Sequence, residues 1–319
     1  MSTEFRYLID KINDSSFTEK PFRHIYIEEL FTAEHFSHLT KLPEINIGPQ
    51  KDDDGLFSAL FESGYQIINF PGCITDQRDY VQWHAGAKGS GHHSACEGFG
   101  VTVRLTDPES EFLLELKEFL AGREFNECIA GKLGIAYDQC RVDGGIQKYL
   151  DGYEISPHPD IRKKAATFMV NINPNDLSEA ADHHTHYLTF KPEREYVKTF
   201  WEGNEKTERC WVPWDWCDSS YQQSKNNTLV MFSPANDSMH AVKASYDHLS
   251  TQRTQLYGNL WYKESEVEKK LAWEDFDFQV KSGGRGSKPN SSVSRAFNKL
   301  GRIITGKSKQ MATRTVGRD

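Results

Sequence analysis

The residues most able to do chemistry lie in two short stretches. His158 and Asp160 end the run Tyr-Glu-Ile-Ser-Pro-His-Pro-Asp, and His240 follows downstream in Ser-Met-His-Ala-Val. In an extended segment, residues two apart point to the same side, so His158 and Asp160 can face one point. Two histidines and one carboxylate on one face of a metal leave the other coordination positions open, an arrangement typical of non-haem Fe(II). We therefore predict an iron site made by His158, Asp160 and His240.

The order of motifs resembles a known family. The distal part reads Asn-Thr-Leu-Val-Met-Phe-Ser-Pro before His240, and then Arg253-Thr-Gln-Leu-Tyr-Gly-Asn-Leu-Trp. The opening Pro21-Phe-Arg-His-Ile-Tyr-Ile-Glu-Glu-Leu-Phe is similar to the family's entry strand and helix. With the His-x-Asp pair, these segments resemble the 2-oxoglutarate- and Fe(II)-dependent oxygenases of the prolyl-hydroxylase-like branch. The resemblance covers roughly residues 21 to 262.

This resemblance implies a reaction and a role for Arg253. Members of the family bind Fe(II), 2-oxoglutarate and O2, and they hydroxylate an unactivated C–H bond with succinate and CO2 as co-products. Arg253 stands where the anchor for the distal carboxylate of 2-oxoglutarate belongs, and its planar fork suits a carboxylate. Family halogenases carry Gly or Ala at the position of Asp160, so its carboxylate favours hydroxylation.

Strand facing adds further candidates for the co-substrate site. Gln147 and Tyr149 share one face of a predicted strand, and Gln255 shares the face of Arg253. Some relatives have Ser at the position of Gln255, so its role stays open. Further histidines occur at residues 92–93 and in the cluster 183–186. For both groups, a surface or substrate-side role is a simpler interpretation than a second metal site.

Three functions remain open from the sequence. The first is a hydroxylase of a small or carrier-linked substrate, favoured because the long segment 175–226 could cover a pocket. The second is a peptidyl, prolyl-type hydroxylase, which would need an open groove. The third is a non-redox, cupin-like module that binds a metal or ligand. Oxygen-dependent succinate formation separates the third from the other two.

The pattern of elements predicts a mainly β protein with flanking helices, built on a double-stranded β-helix (a cupin-like jelly roll). Thr32 is the predicted N-cap of a helix to Lys41, Glu111–Leu120 has helical spacing, and Lys51–Gly55 is expected to be a solvated loop. The expected divisions are a frayed leader or short helix in 1–20, supporting helices and strands in 21–136, the oxygenase core in 137–262 with an insertion at 175–226, and a linker with a basic tail in 263–319.

Composition limits the class of protein. The 319 residues are 37% hydrophobic and carry a net charge of −8, which fits one large domain and argues against a nucleic-acid partner. Six cysteines without a Cys-x-x-Cys pair and no apolar leader predict a cytoplasmic protein.

The tail has a different composition from the body. Residues 281–319 hold ten Lys and Arg and one acid. Apolar residues recur there at helical spacing from Val293 to Ile304. A helix docked on the body, a disordered end, and a basic amphipathic helix that contacts an anionic membrane or a protein partner all stay open.

Overall fold

The fold was analysed in a computed structural model that describes residues 4–86, 95–208 and 210–265. The predicted basic tail 281–319 and the histidines at 92–93 lie outside the described residues. Within these ranges the protein is mainly β with flanking helices, as predicted from the sequence. None of the helices in the described ranges is long and apolar enough to span a bilayer.

The helices of the described ranges are α1 (Tyr7–Asp14), α2 (Ala33–Lys41), α3 (Asp53–Glu62), α4 (Gln77–Gly86), α5 (Glu111–Ala121), α6 (Arg123–Leu133) and α7 (Tyr196–Glu202). The strands are β1 (Phe17–Thr18), β2 (His24–Ile27), β3 (Tyr65–Ile67), β4 (Thr102–Leu105), β5 (Cys140–Tyr149), β6 (Glu154–His158), β7 (Lys164–Asn171), β8 (Thr185–Phe190), β9 (Cys217–Gln223), β10 (Leu229–Phe232), β11 (His240–Lys243) and β12 (Arg253–Tyr262).

The strands form two antiparallel sheets. The large sheet has the order β1-β2-β10-β7-β12-β5-β4-β3, and the small sheet has the order β6-β11-β8-β9. From β5 to β12 the chain crosses repeatedly between the sheets, so that four consecutive positions of each sheet come from this segment. That strand order is the double-stranded β-helix predicted from the sequence. The remaining strands, β1 to β4, extend the two edges of the large sheet.

The largest apolar core lies between the helices and the large sheet. Strand β7 is buried on both faces: Phe168 and Val170 pack among helix residues such as Phe125, whereas Thr167 and Met169 line a cavity on the other side. A strand that is buried on both faces is expected to be a continuous apolar run rather than an alternating one. The helices therefore brace one side of the barrel and leave the other side for a site.

Three expected segments are defined more closely by the structure. For the leader 1–20, a frayed segment or a short helix was expected, and residues 7–14 form the helix α1 with Leu8 and Ile12 buried in the main core. The solvated loop predicted at Lys51–Gly55 is wrong, because Asp52 caps α3 by accepting from the backbone N–H of Gly55. The segment 175–226 contains β8 and β9, two of the eight barrel strands, so it is not one continuous insertion.

Candidate metal centre

Two histidines face each other across neighbouring strands. His158 ends β6 and His240 begins β11, and the two are direct partners in the antiparallel register of the small sheet. Their ring centroids lie 4.3 Å apart. They therefore meet on adjacent, hydrogen-bonded strands. A cross-strand pair has a nearly fixed side-chain separation, so the fold itself sets this spacing.

Backbone carbonyls fix the tautomer of both rings. Nδ1 of His158 donates to the carbonyl of Ser156 over 2.8 Å, and Nδ1 of His240 donates to that of Ser238 over 2.9 Å. A neutral imidazole carries one proton, so Nε2 of each ring keeps a lone pair. Burial and the neighbouring His158 lower the pKa of His240 to about 3. Both features prepare the rings to be metal ligands.

Asp160 reaches the histidines by an unusual backbone conformation. It lies beyond the end of β6 with φ at +69°, so the simple alternation expected of an extended His-x-Asp pair does not apply. Its Oδ1 is 3.6 Å from Nε2 of His158, and its Oδ2 is 3.8 Å from Nε2 of His240. Burial alone would raise the pKa of Asp160, but the ammonium of Lys164 holds it well below the ordinary value. The carboxylate is therefore ionised.

These three side chains fit a divalent transition metal. Each is at most 6% exposed, and one donor atom from each lies within 4.8 Å of the others. Ligand bonds of about 2.1 Å at right angles place neighbouring donor atoms about 3 Å apart, so shifts of less than about 1 Å close the site. Two imidazoles and one carboxylate are the donor set of mononuclear Fe(II) sites.

Arg253 lies in the same cavity with part of its guanidinium unpaired. It begins β12, is 2% exposed, and its Nη2 donates to Oγ1 of Thr185 over 2.9 Å. Among the described residues, its Nε and Nη1 have no hydrogen-bond partner. The guanidinium also lies 4.5 Å from the ring centre of Tyr149. Buried, unpaired N–H groups of a cation are costly, so the geometry fits an anionic ligand.

The other candidates line the same wall. Arg253 pairs with Tyr149 and Gln255 pairs with Gln147 across β12 and β5. With the Gln147 amide oxygen turned toward Arg104, it accepts hydrogen bonds of 2.7 and 3.1 Å, and the amide nitrogen donates to the Tyr149 hydroxyl over 2.7 Å. Burial raises the pKa of Tyr149, so its hydroxyl keeps a proton to donate. Gln255 donates to Asn171 instead.

One cavity joins all seven predicted residues. It has a volume of about 410 Å³, and residues of both sheets line it. The metal triad, Arg253, Tyr149, Gln147 and Gln255 all contribute to its wall. Its volume lies in the range of pockets for small molecules. The three candidate metal ligands and the cationic Arg253 therefore line one cavity.

Comparison with known proteins gives structural matches only. No protein-family model matches the chain, and no curated protein matches it either. A prolyl-4-hydroxylase from Pseudomonas putida is 8% identical with a TM-score of 0.38, over 82% of this chain and all of that one. HygX from Streptomyces hygroscopicus, with nickel and 2-oxoglutarate bound, is 9% identical with a TM-score of 0.34, over 85% of this chain and 91% of that one.

A third solved structure carries a family name. It is an oxidoreductase of the 2OG-Fe(II) oxygenase family from Burkholderia pseudomallei, 12% identical with a TM-score of 0.27, over 67% of this chain and 93% of that one.

A second group of histidine and aspartate side chains lies outside this cavity. One donor atom each from Asp53, His84 and His248 lies within 4.8 Å of the others, and Asp151 also contacts His84. We call these four residues the helix–barrel cluster, because Asp53 and His84 lie on α3 and α4. No local pattern in the sequence indicates this cluster, because its members are spread over 195 positions.

A surface or substrate-side role was expected for the histidines at 183–186, but two of the three are buried. His183 is fully buried and His184 is 4% exposed. Burial and the charge of Arg253 lower the pKa of His183 to about 2 and that of His184 to about 4. His186 is bonded to Ser219 on β9. These histidines are neutral parts of the barrel wall behind Arg253.

Proposed function

We propose that this protein is an Fe(II)- and 2-oxoglutarate-dependent dioxygenase that hydroxylates a C–H bond. The observation that carries the proposal is the pairing of two incomplete groups in one cavity. Nε2 lone pairs of His158 and His240 converge with an ionised Asp160. The buried Arg253 lines the same cavity, and its Nε and Nη1 have no hydrogen-bond partner among the described residues. A metal and a carboxylate-bearing co-substrate complete both groups at once.

The chain supplies binding and orientation for this chemistry. Bound together, Fe(II), 2-oxoglutarate and O2 supply oxidative decarboxylation to succinate and CO2, coupled to hydroxylation of the substrate. His158, Asp160 and His240 hold the metal, and their three-ligand set leaves positions for the other reactants. Arg253 holds the distal carboxylate of 2-oxoglutarate through its fork, and Tyr149 lies beside that fork with its hydroxyl proton available for the same carboxylate.

A small or carrier-linked substrate is our proposal for the remaining space. A cavity of about 410 Å³ suits a small molecule. Aromatic side chains such as Phe70, Trp211 and Trp261 line it beside the polar groups. The six cysteines are free, which supports a reducing compartment such as the cytoplasm. The segment 175–226 gives less support for a covered pocket than its length suggests, because its strands β8 and β9 belong to the barrel itself.

The test is an anaerobic titration of the full-length protein. Adding Fe(II) and then 2-oxoglutarate should produce the weak visible absorption band of the metal–keto-acid chelate, and admitting oxygen should release succinate. Zn(II) in place of Fe(II) is the matched control, because it binds similar ligands but has no redox chemistry. Absence of both the band and the oxygen-dependent succinate from wild-type protein would leave a non-redox binding module as the better description.

A further inference from the structure

Side chains of β7 hold both oxygens of Asp160. Nζ of Lys164 donates to Oδ1 over 2.7 Å, and Oγ1 of Thr167 donates to Oδ2 over 2.7 Å. The Asp160 and Lys164 side chains are 4% and 12% exposed. Hydrogen bonds between ionised groups are roughly twice as strong as neutral ones. The carboxylate is therefore held in place by the protein without a metal.

The two oxygens differ in how readily they are released. Thr167 has one hydroxyl proton, and Oδ1 of Asn259 lies 3.1 Å away as a second acceptor. Thr167 can thus turn away from Asp160 without losing its hydrogen bond. Asn259 keeps its oxygen toward Thr167 because its nitrogen donates to the hydroxyl of Tyr257.

Lys164 has a second partner in Tyr257, which hydrogen-bonds its ammonium but is not a carboxylate. Its ammonium lies 5.8 Å from the ring centre of Tyr257 and 5.6 Å from that of Trp261. Leaving Oδ1 would place a buried cation against these rings without its carboxylate, and breaking a buried ion pair is strongly destabilising. Oδ1 is consequently the oxygen that stays occupied.

We propose that Lys164 is a positioning residue that retains Oδ1, so that Asp160 offers only Oδ2 to the metal. This inference rests on the proposed function. A carboxylate bound through one oxygen, with two histidines, leaves three of six octahedral positions. Binding through both oxygens leaves two positions, which is too few for a keto acid that binds through two atoms and for dioxygen. Lys164 thereby keeps the third position available.

The test counts the positions that remain on a metal probe. Mn(II) is loaded into the full-length protein, and water-proton relaxation measures the exchangeable waters on the ion. In Lys164→Met both carboxylate oxygens can bind, so the relaxation enhancement should fall by about one third relative to wild type. Mn(II) affinity should be retained. With 2-oxoglutarate also bound under anaerobic conditions, wild type should keep one exchangeable water on the ion and the variant none.

Thr167→Val is the matched control. It removes the other hydrogen bond to Asp160 but leaves Lys164 on Oδ1, so its relaxation enhancement should equal that of wild type. A loss of one water position with retained Mn(II) affinity is not expected from general damage to the fold. If Lys164→Met does not fold, Lys164→Gln removes the charge with a similar chain length, and the same decrease in relaxation is expected.

Three outcomes are informative. Wild-type relaxation in the folded Met or Gln variant, with and without 2-oxoglutarate, overturns the role of Lys164 and leaves the proposed function intact. An equal decrease in Thr167→Val also overturns it, because both oxygens would then matter alike. Failure of wild-type protein to bind Mn(II) or 2-oxoglutarate contradicts the proposed function itself.

Discussion

The metal triad and the helix–barrel cluster use the same residue types at similar distances, but their hydrogen bonds differ. In the triad, backbone carbonyls occupy Nδ1 of both histidines, and Nε2 keeps its lone pair. In the helix–barrel cluster, Nδ1 of His84 lies 2.7 Å from Asp53 and its Nε2 lies 2.9 Å from Asp151. Both ring nitrogens of His84 are therefore engaged by carboxyl groups.

The second histidine of the cluster is also fully engaged. Nδ1 of His248 accepts from the backbone N–H of Asp151 over 2.9 Å, and Nε2 donates to Asp53 over 2.8 Å. Neither ring of the cluster therefore has a lone pair to give to a metal. The comparison teaches that residue types and distances do not identify a metal site. The partner of the second ring nitrogen decides between a ligand and a structural hydrogen bond.

The largest expected effect is the loss of the metal from one group and not from the other. His240→Ala removes one of three ligands, so affinity for Fe(II) should fall by more than about 100-fold, beyond the loss usual for an indirect partner. His84→Leu should retain one metal per chain. Anaerobic metal titration with stoichiometry measures both. Two metals per wild-type chain, with one lost in His84→Leu, would refute the distinction.

The second expected effect is on stability, and here the change in the helix–barrel cluster should be larger than the change in the metal triad. His84 joins α3 and α4 to Asp151, which follows β5, and its side chain is 14% exposed. Removing one partner from a buried ionic group typically costs about 3–5 kcal/mol, so His84→Leu should lower the free energy of unfolding by that order. His158→Leu in metal-free protein should cost less, because among the described residues only Nδ1 of His158 has a hydrogen bond of normal geometry to lose. Denaturant unfolding compares the two variants, and equal losses would contradict the structural role.

Regular strands explain why much of the site was predictable. Ligand type and order pointed to His158, Asp160, His240 and Arg253, and period-two alternation correctly placed Gln147 with Tyr149. Cross-strand pairing then brings these positions onto one wall. Prediction from sequence succeeds where each residue occupies the face that its parity requires.

Irregular backbone explains what was missed at the metal centre. Asp160 has a positive φ, which strand alternation does not describe. Trp261 of β12 pairs with Lys164, but Leu260 pairs with Ala166, so one extra residue lies in β7 at this point. Such a bulge changes side-chain parity, and Lys164 and Thr167 consequently face Asp160 together although they are three residues apart.

The helix–barrel cluster was missed for two reasons. The N-cap Asp52 and the acidic first turn of α3 are a recognisable helix signal, which the interpretation as a charged loop overlooked. The meeting of Asp53 with His248 depends on tertiary packing over 195 residues, for which a single sequence has no local signal.

Arg253 provides a third test, because it belongs to the cavity but not to the metal triad. Arg253→Ala removes a charge-assisted contact to a buried carboxylate, which should cost about 2–5 kcal/mol in 2-oxoglutarate binding, or roughly 30-fold or more in affinity. Iron affinity should change little. Arg253→Lys keeps the charge without the fork and should restore only part of the affinity. An unchanged requirement for 2-oxoglutarate in Arg253→Ala would assign the carboxylate to another cation.

The smallest expected effect is a pH dependence that comes from the buried, neutral histidines behind Arg253. The pKa of His183 is lowered to about 2 by burial and Arg253, and that of His184 to about 4, whereas histidine in an unfolded chain titrates near about 6.5. As the pH falls below about 6.5, the unfolded chain binds protons that the folded protein does not, so stability decreases by up to about 1.4 kcal/mol per pH unit for each residue.

Neither ring nitrogen of His183 has a hydrogen-bond partner of normal geometry among the described residues, so His183→Leu should cost little near neutral pH. Urea unfolding at about pH 7.5 and about pH 5.5 should show a shallower pH slope in this variant than in wild type. An unchanged slope would mean that His183 is protonated in the folded protein, and the barrel wall behind Arg253 would then resemble the helix–barrel cluster in carrying a buried charge.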